Sequence, residues 1–490
     1  MPSWIDEELR AADLGDKRLN ARFKLLIDRM SHKPSLRFPA ACRGRAEVEA
    51  AYRFVDHPRV TVERLLAPHR EATLRRIAQH PVVILAQDTT ENDLSRRRER
   101  MAGAGPLNDP TRLGLLVHPL LAVTPERLPL GIVGVAIWAR APEAVARPVK
   151  EKDAERRKKP IEEKESFCWL RGYRHACQVA QACPETQVIC VSDSDGDIFE
   201  CYFEAEVAQT GRKADWIVRA SDDRGLLPTA EGETPGGKLF AQVASRPLLT
   251  ELELEVSYRE AKSHDGRKRK KERRARTATV SVRAAHVRLK QPRRRDGKEL
   301  ADVEVNAVLV REGTPPEGEE PIEWLLLTGL PIQDVQQVLA VVEYYCCRWQ
   351  IEVYFRILKS GCRVEASQLE TAHGYEAYLV LCLIVAWRVM YLLMLGRVCP
   401  ETPCDVVLEA DEWQAVYAVM NEQAPPTPPR LGEMATLIAK LGGYLGRKCD
   451  SPPGPKAMWV GMQRMTDLAL GWRAHANLAN PPAADQPPTT

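Results

Sequence analysis

Apolar residues recur along this chain in two rhythms, and the rhythm changes several times. Up to about residue 68 the spacing is helical. Asp13-Leu14-Gly15-Asp16 opens a helix rich in Lys17, Arg18, Arg22 and Lys24, a second helix covers Glu47 to Val55, and a third runs from Val62 to Ile77. Val82 to Ala86 is the first strand. Apolar runs at Leu115 to Thr124, Gly131 to Trp138, Gln187 to Ser192 and Trp216 to Ala220 follow, with a helix over Glu163 to Ala182 among them. That alternation predicts an α/β sheet.

Between about 224 and 320 the period drops to two. Leu248 to Tyr258, Thr277 to Leu289 and Asp302 to Val310 read as antiparallel strands inserted into the α/β domain. Trp324 to Thr328 resumes a buried strand, with Trp324 closing it beside a long helix over Ile332 to Ser360. The chain from about 366 is helical, broken by proline at Pro425 to Pro429 and Pro452 to Pro455, and the last ten residues read as disordered. The expected units are 1–68, 69–365 with its insertion at about 224–320, 366–480, and a tail at 481–490.

Tyr378 to Leu395 is apolar enough to suggest a membrane span. Arg388 lies inside it, and an arginine there costs several kcal/mol in lipid. A buried helix of a large helical domain is the expectation instead. The helices at Met434 to Gly443 and Ala457 to Trp472 carry more apolar surface than a small tail can bury, which predicts a homodimer. Thirteen cysteines form no CxxC pair, so reduced, buried thiols in a cytoplasm are expected rather than a zinc site or disulfide framework. A net charge of +3 does not exclude a nucleic-acid partner, because counterion release depends on local clusters of Lys and Arg.

Carboxylates carry the candidate chemistry. Asp88 follows one strand directly and Asp193 another, so the two can meet if those strands are neighbours. A strand-ending aspartate is also a common turn or helix cap, and Asp195 and Asp197 crowd the second site. Tyr345, Arg348, Glu352 and Lys359 share one helix. At about 100° per residue they fall within one stripe of about 60°, beside an apolar stripe of Tyr344, Ile351, Phe355 and Leu358. A solvated charged face gives the same pattern. Three carboxylates suit two magnesium ions about 3.5–4 Å apart, the arrangement for phosphodiester transfer to water or a 3′-hydroxyl. Mn²⁺ is expected to substitute. Arg348 and Lys359 can hold the flanking phosphates, with Arg219 at the end of its strand, and Tyr345 can donate to a phosphate oxygen.

With these residues in place the sequence resembles the DDE transposases of the insertion-sequence-4 group, close to the transposase of transposon five. Tyr345-Cys-Cys-Arg348-Trp-Gln-Ile-Glu352, six residues and Lys359 match the signature of that family. Asp88-Thr89-Thr90 matches its first aspartate, and Val191-Ser192-Asp193 with Asp197-Ile198 the second, which selects Asp193. Trp324-Leu-Leu-Leu-Thr328, Ala12 to Asp16, Ala51-Tyr52-Arg53-Phe54 and Leu441-Gly442-Gly443-Tyr444 extend the likeness over nearly the whole chain. Ser194 to Gly196 and Arg96 to Arg98 depart from it.

The resemblance implies a ribonuclease-H-like catalytic domain with an inserted antiparallel β subdomain. An N-terminal helical domain binding element ends and a C-terminal helical dimerisation domain flank it. It also implies cut-and-paste chemistry through a hairpin intermediate, and a base flipped onto Trp324. Double-stranded DNA, as element ends and target, is the expected partner, and the nucleoid of a bacterial cytoplasm the expected place.

Lys262 to Arg276 holds nine basic residues against two acidic ones. A solvated hairpin tip is one reading. A DNA-facing loop of Arg267, Lys268, Arg269, Lys270, Lys271, Arg273 and Arg274 is the other, because charges so packed repel unless phosphates screen them. Arg293 to Arg295 form a second basic tip, and Glu151 to Lys159, mixed in sign, reads as a solvated linker. Lys17, Arg18, Arg22, Arg43, Arg45 and Arg53 are the candidates for contacts with element ends. Two rival functions differ by residues. A plain nuclease of this fold would lack the N-terminal end-binding domain, and a non-catalytic descendant would have lost a carboxylate.

Overall fold

The computed structural model describes residues 3–479 except 35–36, 96–100, 110, 142–157, 208–210, 229–236, 257–272, 293–299, 421–422 and 448–449. Arg96 to Arg98, Arg267 to Lys271, Arg293 to Arg295, most of the mixed-charge stretch 151–159 and the tail 481–490 therefore lie outside the described residues.

Twelve strands form one sheet: β1 (Val82–Gln87), β2 (Thr90–Asp93), β3 (Gly105–Pro106), β4 (Leu113–Val123), β5 (Pro129–Trp138), β6 (Gln187–Ser192), β7 (Asp215–Arg219), β8 (Leu226–Leu227), β9 (Thr250–Val256), β10 (Arg276–Leu289), β11 (Val303–Glu312) and β12 (Glu323–Thr328). The spatial order is β2-β4-β1-β6-β7-β12-β11-β10-β8, with β3 and β5 on β4 and β9 on β10. β1, β6 and β7 are parallel neighbours; β4 and β5 are antiparallel. The central strands are apolar almost without interruption because both their faces are covered, as parallel strands require.

The period-two segments are antiparallel strands, as expected, but they do not form a sheet of their own. β11 pairs β12, which pairs β7, so the segments extend the central sheet. β9 alternates half-buried and exposed positions along nearly its whole length, as a strand with one wet face does. Trp324 opens β12 instead of closing it. The helix expected over Glu163 to Ala182 begins at Phe167, after a 3-10 turn at Ile161–Glu163.

Helices wrap the sheet at both ends of the chain. Lys17–His32, Arg45–Val55 and Val62–Ile77 fall where the pattern placed them, each with one buried stripe. Ala372–Val398 is the central helix. It is apolar on every side and 94% buried over its most apolar window, and it packs on β5, on Lys17–His32 and on Leu431–Leu441. Its Arg388 donates to the Val407 carbonyl at 3.0 Å and lies 4.7 Å over the Trp4 ring, so the guanidinium finds a carbonyl and an aromatic face inside protein. Buried residues of the N-terminal helices, the sheet and the C-terminal helices join in one continuous core.

The helix expected over Ile332 to Ser360 is divided. Val335–Cys347 ends at Arg348, Gln350–Arg356 follows, and Ile357–Gly361 opens into a wider π-turn. At the junction the amides of Arg348, Ile351 and Glu352 bond three residues back, at 3.0, 3.0 and 3.1 Å. This is a 3-10 tightening with no Gly or Pro to cause it, so a tertiary contact has to.

Candidate active site

That contact is Arg348. Its guanidinium reaches Asp88 at 3.1 Å and Glu352 at 4.0 Å, and its side chain is only 10% exposed. In the 3-10 turn residues three apart come close to eclipsing one another, and the Arg348 guanidinium lies 6.0 Å over the Tyr345 ring.

β1 and β2 run one after the other along β4, and Asp88 stands at the break between them. β1 and β6 are parallel with Ala86 opposite Val191. Two residues further along each strand, this register brings Asp88 and Asp193 to adjacent strand ends. Asp193 also accepts from the Asp195 amide at 2.9 Å, so it caps the 3-10 turn Ser194–Gly196 as well. Asp195 is exposed. Asp197 is turned inward and bound by Arg224, Tyr202, Ser221 and the Asp222 amide.

The electrostatics report the convergence. Burial pushes the Asp88 carboxyl up to about 7, with the nearby charge of Asp193 and, less strongly, Glu352 adding to it; Arg348 and the Thr89 amide oppose them. Burial also raises the Tyr345 phenol, and Arg219 and Arg348 offset part of that. Among the described residues the buried Tyr345 hydroxyl has no well-formed hydrogen bond, and its ring lies 5.3 Å from that of Trp324. Arg219 donates to Ser194 Oγ at 3.0 Å, and Lys359 reaches the Glu91 carbonyl and Glu365. The structure thus gathers Asp88, Asp193, Glu352, Tyr345, Arg348, Arg219 and Trp324 at the strand ends of the central sheet, with Lys359 reaching Glu91 of β2.

A cation suits these donors in kind. All three carboxylates offer hard oxygen, Asp88 is short of positive charge, and the buried phenol lacks a well-formed acceptor. As placed in this structure the carboxylates do not close around one ion, however. Among the described residues no three potential ligands are grouped closely enough to hold one ion. Arg348 supplies the counter-charge between Asp88 and Glu352 instead.

Sequence reasoning missed the support behind Asp88. His118 on β4 is buried, with one ring nitrogen 2.8 Å from Thr89 Oγ1 and the other 3.0 Å from Gln87 Oε1. A single imidazole therefore pins both neighbours of Asp88, and burial holds that ring well below its usual range, at about 3, hence neutral. The ring also packs edge-on against Trp169. One histidine in an apolar run gives no signal of this.

Of the proposed end-binding residues, Lys17, Arg18, Arg43, Arg45 and Arg53 are exposed and Arg22 is half-buried. Lys17 and Arg18 occupy the first turn of their helix, which holds no acidic residue. Cations there oppose the helix dipole, a cost to stability that a bound phosphate would reverse. Arg45 is paired with Glu49 at 2.8 Å. Of the basic loop only Arg273 and Arg274 are described, and the Arg274 amide bonds Glu319 at 3.2 Å.

Three family models match the chain. Transposase DNA-binding covers residues 1–60, Transposase DDE domain covers 201–388, and Transposase Tn5 dimerisation domain covers 384–479. The DDE match takes in Arg219, Trp324 and Tyr345 to Lys359 and begins beyond Asp88 and Asp193. Among solved structures, the piggyBac transposase synaptic complex with hairpin DNA is similar over 99% of this chain and 83% of its own, at 9% identity and a TM-score of 0.32. A likeness at that level carries no weight.

Proposed function

We propose that this chain, matched by Tn5-type transposase models over residues 1–60, 201–388 and 384–479, is a DDE transposase related to that of Tn5 and a cut-and-paste enzyme of the insertion-sequence-4 group. It binds the ends of its element, cuts both strands through a hairpin, and joins the freed 3′ ends to target DNA. The observation that carries this is the meeting of Asp88, Asp193 and Glu352 around Arg348, which leaves Asp88 short of positive charge.

The order β5-β4-β1-β6-β7, with β4 antiparallel and β6 and β7 parallel to β1, supports a ribonuclease-H-like core. In that core the three carboxylates would hold two Mg²⁺ or Mn²⁺ ions, which supply charge neutralisation at the scissile phosphate and activation of the attacking oxygen. Arg348 is placed to move from Asp88 to a phosphate oxygen, because a phosphate accepts the guanidinium fork as well as a carboxylate does. The buried Tyr345 hydroxyl can donate to the same group. Trp324, half-buried against Tyr345, offers an indole face to a flipped base. Lys17, Arg18 and Arg22 lie at a helix start suited to phosphate on an element end.

Dimerisation is supported by the last helix, where Trp472 and Leu478 stay 40% and 82% exposed. The purified chain should nick, hairpin, excise and join DNA carrying the inverted repeats that flank its gene, with two protein copies per active complex. Hydrolysis without joining would leave a nuclease. Cleavage of both ends by a single copy would refute the dimer.

A further inference from the structure

Among the described residues a left-handed backbone falls to glycine, which adopts it freely, with two exceptions. Both exceptions are arginines, Arg127 at φ 72° and Arg363 at φ 51°. Arg127 closes the turn between β4 and β5, where its amide bonds the Thr124 carbonyl at 2.8 Å. Arg363 stands where the catalytic helix stops. The Cys362 amide bonds the Ile357 carbonyl at 2.8 Å and ends the π-turn. The Ala366 amide bonds the Arg363 carbonyl at 2.8 Å and opens the 3-10 turn Val364–Ala366. The chain reversal between them requires a left-handed residue. It does not require an arginine, whose Cβ crowds the following carbonyl in this conformation.

A side chain that raises the cost of its own backbone points to a use for that side chain. Cys362 and Val364 are buried, and Arg363 between them is exposed. It makes no ion pair among the described residues. Glu365, two residues on, is already engaged: it pairs with Lys359 at 3.6 Å and accepts from the Asp93 amide at 3.0 Å. These contacts, with Lys359 on the Glu91 carbonyl, clip the segment to β2, the strand that leads away from Asp88. An outward-facing cation is thus held four residues beyond Lys359, on backbone fixed to the strand that follows the catalytic aspartate.

We propose that Arg363 grips a DNA phosphate flanking the one at the carboxylates and extends the row that ends at Lys359. This assignment rests on the transposase reading of the site. A guanidinium offers paired donors that fit phosphate oxygens, so the contact adds affinity without reading sequence. The phosphate can belong to the element end or to the target strand, and its chemistry is the same in both.

Salt dependence tests this. Two quantities are measured between about 50 and 200 mM salt: binding of the full chain to element-end duplex, and the second-order rate at which a preassembled end complex joins target duplex. The chains are wild type, Arg363→Gly, Arg363→Lys and Arg127→Gly. Arg363→Gly relieves the backbone and removes the charge. It should melt at or above the wild-type temperature, yet weaken the affected step about fivefold near 150 mM salt and lower the salt slope by about 0.9, the share of one phosphate. Arg363→Lys should keep most of that slope. Arg127→Gly relieves the same strain near the start of β1, at the end away from Asp88, and should leave the slope unchanged. A change in end binding assigns the phosphate to the element end, and a change in joining alone assigns it to the target.

An unaltered slope in both assays, or equal flattening by Arg127→Gly, would overturn the grip. Weaker binding with a lowered melting temperature and an unaltered slope would make Arg363 a structural residue. Arg363→Asn, which also tolerates the left-handed backbone, gives the same test if the glycine variant loses its melting transition. A wild-type chain that binds no end DNA would instead sink the transposase reading.

Discussion

Asp88 and Asp197 are two aspartates beside buried arginines, at the strand ends of the same sheet, and they are held in opposite ways. Asp197 is 1% exposed and meets Arg224 at 2.6 Å, the Ser221 and Asp222 amides at 2.7 and 2.9 Å, and the Tyr202 hydroxyl. Burial pushes its pKa up, but Arg224 and these donors win, and it stays below the usual carboxylate range. Asp88 has a single Arg348 contact at 3.1 Å and the Thr89 amide at 2.7 Å; burial, with Asp193 and Glu352 close by, outweighs them and its pKa rises to about 7. The lesson is that an arginine beside an acid does not identify a structural pair. A saturated carboxylate ties two loops together, here those carrying Asp193 and Arg219. An under-served one has capacity for an incoming cation.

The sharpest way to break this contrast is to remove the carboxylates. Asp88→Ala, Asp193→Ala or Glu352→Ala should each lower Mg²⁺-dependent cleavage by more than about a thousandfold while end binding, read by gel shift, persists, because phosphate contacts outlive the ligands. Normal cutting by Asp193→Ala alongside a dead Asp195→Ala would reassign the second aspartate.

Next in size is the structural partner. Asp197→Asn leaves the buried Arg224 with only the exposed Asp222 carboxylate at 3.8 Å, and breaking such a buried pair costs about 3–5 kcal/mol, readable in chemical denaturation. Asp88→Asn should act in the other direction. Its folded pKa lies above the unfolded value, so the folded state binds the extra proton and wild-type stability falls as pH rises from about 4 to about 7. The variant should therefore match wild type below about pH 4 and exceed it at pH 8. A destabilised Asp88→Asn at pH 8 would put the two aspartates in one class.

Trp324→Ala should slow hairpin formation by about one to two orders of magnitude more than the first nick, since stacking on an indole is worth about 1–3 kcal/mol per base. Equal slowing of both steps with a lower melting temperature would make it an ordinary core residue. The smallest effect is a graded one. Below about pH 7 a proton competes for Asp88, so the Mg²⁺ concentration giving half-maximal cleavage should rise by up to about tenfold per pH unit. A metal requirement that ignores pH between 6 and 8 would contradict the raised pKa.

Much of this was legible in the chain, for physical reasons that also mark the limit. Val62–Ile77 and Gln187–Ser192 fall where apolar periodicity placed them, because their burial is one-sided or complete. The Tyr345-Arg348-Glu352-Lys359 row was legible from helix spacing, although the helix is broken by a 3-10 turn at Arg348 and a π-turn that carries Lys359 to Glu91. Period two showed that β9, β10 and β11 are strands but not which edge they join, since a strand's pattern records a wet face and not its partner. The 3-10 turn at Arg348 was hidden because its residues are compatible with an ordinary helix. The ion pair that tightens it comes from Asp88, 260 positions away. His118 was hidden for the same reason: its partners are Gln87 and Thr89 on another strand.

The helix Ala372–Val398 carries a mechanical consequence. The DDE and dimerisation matches overlap at residues 384–388, inside this helix. At about 1.5 Å per residue it is a rod of roughly 40 Å, sheathed along its length by core. A joint of this kind has no hinge. A load applied at the helix's C-terminal end would pass to the sheet as displacement and not be lost as bending.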